Sequence, residues 1–172
     1  MSLDTFNSQE AASDEIPAQH PTDVDIDSLL VQARSEATQL GKPYAGSLSP
    51  PQAWQLFSHS RALLVDVRSA EECKFVGHVA GAIHVPWATG TSLNRNPRFV
   101  KELESKTKSK DAVILLLCRS GNRSALAAEA AHKAGFTNVF NVSEGFEGDL
   151  DGQLQRGGHN GWRFHGLPWS QD

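Results

Sequence analysis

Cys118-Arg119-Ser120-Gly121-Asn122-Arg123-Ser124 puts a thiol at the head of a short run of hydroxyl, amide and guanidinium side chains around one glycine. Those types at that spacing suit a sulfur nucleophile working as an anion. Gly121 lets the chain take a left-handed step at no steric cost, so successive backbone N–H groups can turn toward one point. Arg119 and Arg123 add full positive charges beside it. A thiol so placed is expected to ionise easily, since comparable cysteines titrate at roughly 3.5–7.5 against about 8.5 for a free one. A lone cysteine at a strand end is more often a small core hydrophobe. A plain turn, however, has little use for Gly, Asn, two Arg and two Ser in succession, and the RSGNRS segment tips the reading toward a nucleophile.

The elements that position this segment are legible on either side. Ala112–Leu117 (AVILLL) is apolar at every position, the mark of a strand covered on both faces. Ser124–Ala134 spaces Leu126, Ala127, Ala130, Ala131 and Ala134 along one helical side, with Lys133 near its end and Gly135 as the left-handed cap. The thiol thus sits between a strand's carboxyl end and a helix N-terminus, where α/β sheets bind ligands and the helix dipole favours negative charge.

Strand and helix signals alternate through the rest of the body. A helix is expected from Ser49-Pro50-Pro51 through Phe57, a strand over Ala62–Val67, a short helix over Ser69–Phe75 and a strand over Ala82–Val85. A helix over Arg98–Ser105 and a last strand over Asn138–Val142 complete the pattern. Short connections between them imply an α/β fold, an open parallel sheet of about five strands with helices on both faces. Upstream, Ile26, Leu29, Leu30, Ala33, Ala37 and Leu40 recur at helical intervals until Gly41 and Pro43, giving an amphipathic helical extension over 25–44. It is expected to pack on the body, a second subunit or a partner. Residues 1–24 are polar and acidic and read as a disordered tail. The body proper is 45–172.

Charge and composition exclude several functions. Seven acids and no Lys or Arg fall within residues 1–33; the remaining 13 acids and 16 bases leave the rest at +3. That suits a small anionic substrate and is too little for nucleic acid. The longest apolar run, Ala112 to Cys118, is far short of the roughly 20 residues a membrane span needs. The first 20 residues lack the basic and apolar regions of a secretory signal, so a cytoplasmic location is expected. Two cysteines, Cys73 and Cys118, suit a reducing compartment. The seven scattered histidines offer no metal site, and no cofactor is expected.

A second cluster lies upstream: Val65-Asp66-Val67-Arg68, Glu72, Gly77-His78-Val79-Ala80-Gly81-Ala82 and Pro86. Together with the Cys118 segment it resembles the rhodanese family, in particular its bacterial single-domain members. The cluster is similar to the family's Asp-Val-Arg…Glu…Gly-His-Ile-x-Gly-Ala…Pro pattern, and the resemblance covers roughly residues 45–170. Two features depart from it: Cys73 stands where the family usually has an aromatic, and one extra residue separates Glu72 from Gly77. The resemblance implies a sulfurtransferase in which Cys118 takes a sulfur from a small anionic donor such as thiosulfate and holds it as a persulfide. A thiol or cyanide then accepts it, and Arg119 to Ser124 bind the substrate. A persulfide carrier in a protein sulfur relay is the alternative. A phosphatase or arsenate reductase is the outside reading, set back because Arg123 follows Cys118 by four intervening residues rather than five.

Asp66, Arg68, Glu72 and His78 are expected to be structural, with Asp66 and Arg68 in an internal ion-pair network and Glu72 a candidate partner for Arg68. Cys73 reads as a semi-buried hydrophobe, with a resolving thiol as the sharper role. The glycine-rich ending is expected to wrap the body, anchored by Trp162 and Trp169 or forming a rim beside the site, and Phe146 is a candidate for the pocket wall.

Overall fold

The computed structural model describes residues 23–172. In chain order the elements are α1 (Asp23–Gln39), β1 (Gly46–Leu48), α2 (Pro50–Ser58), β2 (Leu63–Asp66), α3 (Ala70–Val76) and β3 (Ile83–His84). A small antiparallel pair, β4 (Ala88–Thr89) and β5 (Asn94–Arg95), leads to α4 (Phe99–Thr107), β6 (Ile114–Leu117), α5 (Asn122–Lys133) and β7 (Val139–Val142). Five strands form one parallel sheet in the order β1-β7-β6-β2-β3. This is the α/β architecture expected. Of the tail read over residues 1–24, residues 1–22 lie outside the described residues and the last two open α1.

Alternation along each central strand divides the core in two. Ile114, Leu116 and Cys118 join Val65 and Val67 on one face, packed by Phe99 and Leu103 of α4 and by Ala127, Ala128 and Ala131 of α5. Leu115 and Leu117 join Leu64, Phe140 and Val142 on the other, packed by Ile26 and Ala33 of α1 and by Ala53 and Leu56 of α2. The helical extension therefore packs on the body. It crosses β1 so closely that a Cβ on Gly46 would lie 2.5 Å from the Ala33 carbonyl oxygen. Arg34 reaches Asn138, and Arg61 pairs with Asp27 across the α1–α2 side.

Differences from the sequence reading have local causes. The first helix begins at Asp23, ahead of its apolar spacing. The last begins at Asn122 rather than Ser124, because Gly121 at φ 90° already serves as its N-cap. The three residues of β1, Gly-Ser-Leu, carry no alternation; pairing with β7 makes them a strand. β2 and β6 lie side by side at the centre, yet the chain leaves them in opposite directions, β2 toward β3 and β6 toward β7. Their carboxyl ends open the crevice at which such sheets hold ligands.

Candidate active site

Cys118 leaves β6 at that crevice. The next six residues fold back over it: the Gly121 N–H donates to Cys118 Sγ at 3.1 Å, and Ser124 Oγ lies 3.1 Å from the same sulfur. The carbonyls face the other way. Cys118 O accepts from the Phe146 N–H at 2.7 Å, and Arg119 O accepts from the Glu147 and Gly148 N–H groups. With oxygens turned out and donors turned in, the loop presents partial positive charge to the sulfur.

The packing leaves no freedom in this arrangement. A Cβ on Gly121 would lie 1.9 Å from Ser143 O, and one on Gly145 (φ 67°) 2.5 Å from the Arg119 carbonyl. The 143–148 turn is thus the floor of the loop. Cys118 is buried, only 1 % exposed as a residue.

Ser124 Oγ also lies 2.6 Å from Asn141 Oδ1. One hydroxyl proton cannot serve both partners. With a neutral thiol, S–H can donate to Oγ and Oγ to Asn141. With a thiolate, the hydroxyl must turn to sulfur, and Asn141 can remain bonded by presenting its amide N–H₂ after a flip. Asn141 is buried on β7 and was not singled out from sequence. Its signal was a carboxamide inside the apolar run Val139–Val142, a buried polar group that must find a partner.

Arg123 is the second residue of α5, between the two groups that meet the sulfur. Its Nη1 and Nη2 donate to Glu72 Oε2 and Oε1 at 2.8 and 2.6 Å. Glu72 therefore partners Arg123, not Arg68, and the ion pair joins the first turn of α3 to the first turn of α5. It also accepts the Ser69 N–H at 3.1 Å while Ser69 Oγ accepts the Glu72 N–H, closing a capping box. Burial alone would raise the Glu72 pKa; the Arg123 hydrogen bonds, the Ser69 N–H and the charges of Arg123 and Arg68 more than reverse this, leaving it below the usual carboxylate range. Arg123 is shifted up, chiefly by its hydrogen bonds to Glu72.

Arg68 is fully buried, and its Nε and Nη2 donate to Asp66 at 2.6–3.2 Å and Nη2 to Gly77 O at 2.8 Å. Its guanidinium lies 4.0 Å over the Phe146 ring. This pair ties β2 to the entry of the Gly77–Ala82 loop and supports the turn under Cys118. His78 bridges to Ser170 through paired backbone hydrogen bonds and a 3.3 Å side-chain contact. The ending wraps the body, as Trp162 is buried with its indole N–H on Pro168 O, while Trp169 rests edge-on to Phe146 and remains 42 % exposed. Ser120 and Arg119 are half-buried and Asn122 is exposed; among the described residues, Gly121 and Ser124 alone hydrogen-bond the sulfur.

Cys73 lies apart, on the wall of a cavity of about 440 Å³ with Asp66, His78, His84 and Asp172. Burial, then the neighbouring Asp66 carboxylate, pushes its thiol up to about 12. It stays protonated at neutral pH and is a poor nucleophile. No group of residues able to hold a metal ion occurs among the described residues, and no helix among them is long and apolar enough to cross a membrane.

A family model described as the Rhodanese-like domain matches residues 49–150. An uncharacterized protein of Rickettsia prowazekii is 38 % identical over 117 residues, covering 66 % of this chain and 87 % of its own. A chloroplastic thiosulfate sulfurtransferase of Arabidopsis thaliana is 33 % identical over 106 residues, 60 % of this chain and 76 % of its own. Among solved structures, the crystal structure of Rv0390 from M. tuberculosis aligns with a TM-score of 0.66 at 43 % identity, over 75 % of this chain and 99 % of that one.

Proposed function

The chain belongs to the rhodanese-like domain family, and from that premise we propose that it is a sulfurtransferase carrying sulfane sulfur on Cys118. The observation that carries the reading is the pair of groups aimed at one sulfur, the Gly121 N–H and the Ser124 hydroxyl. In the first half-reaction the Cys118 thiolate attacks the outer sulfur of a donor such as thiosulfate. The donor's S–S bond breaks, sulfite departs with the electron pair, and Cys118 holds a persulfide. In the second, an acceptor thiolate or cyanide attacks the terminal sulfur and regenerates the Cys118 thiolate. This is covalent catalysis in two displacements. The fixed donors stabilise negative charge on sulfur throughout, so preorganised electrostatics rather than a proton-transferring base lowers the barrier.

Thiosulfate is supported as donor by the name of the Arabidopsis relative. A second reading, a carrier that exchanges sulfur with a docked protein, is favoured by exposed apolar side chains beside the loop's supports. Phe75 is 68 % exposed, and Trp169 stands over Gly77 and against Phe146. A soluble, cytoplasmic enzyme fits two unpaired thiols. Ping-pong kinetics with thiosulfate and cyanide, lost in Cys118→Ser, is the expected result. Turnover of p-nitrophenyl phosphate in its place would support the phosphatase reading instead.

A further inference from the structure

We propose that the cleft between the ends of α1 and α5 is a second ligand site, which takes a small molecule carrying a tetrahedral oxyanion, a phosphate monoester or a sulfur oxyanion. The inference does not depend on the chemistry at Cys118. The cleft encloses about 270 Å³ and is lined by Arg34 and Thr38 of α1, Lys42 beyond its end, Tyr44 before β1, and His132 and Thr137 around the end of α5. It stands at the amino ends of β1 and β7, whereas Cys118 follows the carboxyl end of β6 in the same parallel sheet. Most of its wall precedes residue 49, where the match to the family model begins. The cleft is therefore built largely by residues outside the shared domain.

Charge and hydrogen bonding are both left unmatched here. No carboxylate lines the cleft, and Arg34, Lys42 and His132 form no ion pair among the described residues. Arg34 lies 5.0 Å over the Phe140 ring and donates from Nη2 to Asn138 Oδ1. These contacts fix the guanidinium while leaving most of its five N–H donors unspent. Tyr44 supplies the second observation. The residue is only 8 % exposed and belongs to the core on the α5 side of the sheet, yet its hydroxyl has no hydrogen-bond partner among the described residues. A phenol buried to this degree normally finds one, and a ligand oxygen in the cleft supplies it.

The two hydroxyls of the rim are already committed. Thr38 donates to Arg34 O at 2.9 Å, and Thr137 to Asp111 Oδ1 at 3.3 Å, so the donors left for a ligand are Arg34, Lys42, Tyr44 and His132. Bare carbonyls at the two helix ends would repel an anion, but here they are occupied. Ala37 O and Thr38 O accept the Lys42 and Gly41 N–H groups, and Ala131 O and His132 O accept those of Phe136 and Gly135. The unpaired side-chain cations therefore set the sign of the site. A guanidinium, an ammonium and a phenol O–H match the several acceptor oxygens of a tetrahedral oxyanion. A volume just below the usual range of about 300–1,000 Å³ suits that group on a short carbon chain.

Tyr44 is the only tyrosine of the chain, so tyrosine labelled with carbon-13 at Cζ gives one resonance that reports on its hydroxyl. The full chain is titrated with methyl phosphate and, separately, with sulfate, against sodium chloride at matched ionic strength. A saturable shift is expected with at least one oxyanion, and the tighter of the two tells a phosphate monoester from a sulfur oxyanion. Arg34→Gln and Lys42→Gln should each weaken that binding by about 10-fold, the scale of one charge-assisted hydrogen bond. Lys42 is exposed, so its variant decides the matter if Arg34→Gln does not fold. Sulfur loading of Cys118 should be unchanged in Lys42→Gln. The site is overturned if neither oxyanion gives a saturable shift, if chloride reproduces the shift, or if Lys42→Gln binds as tightly as the parent.

Discussion

At the scale of single residues, the chemistry depends on which atoms can donate to one sulfur. Ser124→Ala removes the hydroxyl and leaves the Gly121 N–H as the remaining donor found there. A loss of about 100-fold in kcat/KM is expected, the low end of what one oxyanion donor contributes. Asn141→Leu acts one bond further away. It removes the 2.6 Å partner that positions the Ser124 hydroxyl, and a smaller loss of about 3-fold is expected, measured by the same sulfur-transfer assay. Cys73 has no part in this chain of contacts. With its thiol pushed up to about 12, Cys73→Ala should transfer sulfur at the parental rate, and iodoacetamide at pH 7 should label Cys73 only slowly.

At the scale of elements, the loop is held by turns that have no room to change. Gly121→Ala sets a Cβ against Ser143 O at a φ of 90°, where an L side chain is itself strained. A destabilisation of about 2–4 kcal/mol is expected by urea unfolding, with sulfur transfer abolished in whatever remains folded. Much of this was legible in the sequence. The apolar run before Cys118 and the alanine-rich helix after it fixed the strand–loop–helix frame, because both have strong periodic signals. The floor of the loop was not legible beyond Phe146, because Glu144–Gly148 meets Cys118 and Arg119 through backbone hydrogen bonds that no side-chain pattern encodes. Nor was the partner of Glu72: sequence proximity suggested Arg68, whereas the fold brings Arg123 to it across 51 positions.

At the scale of the whole molecule, α1 is part of the body's core rather than an appendage. Ile26 is buried against the α2 face of the sheet. Ile26→Ala should cost about 2–4 kcal/mol by the same unfolding measurement, the usual range for a core isoleucine; a value near zero would mean that the helix docks only weakly. Acid stability should report the Glu72–Arg123 ion pair. The Glu72 pKa is depressed on folding, so its contribution is fully present above the unfolded value of about 4.3 and is lost as pH falls through the lower folded value. Glu72→Gln should therefore flatten the stability-versus-pH curve below about pH 5, by about 1 kcal/mol.

The most direct test of the central claim is the mass of the peptide bearing Cys118 after brief exposure to thiosulfate or to cysteine persulfide. The account requires a gain of about 32 Da, one sulfur atom held covalently. The gain should lie on that peptide, be reversed by cyanide and be absent in Cys118→Ser. An unmodified Cys118 with both donors, or the same gain appearing on the Cys73 peptide instead, would contradict it.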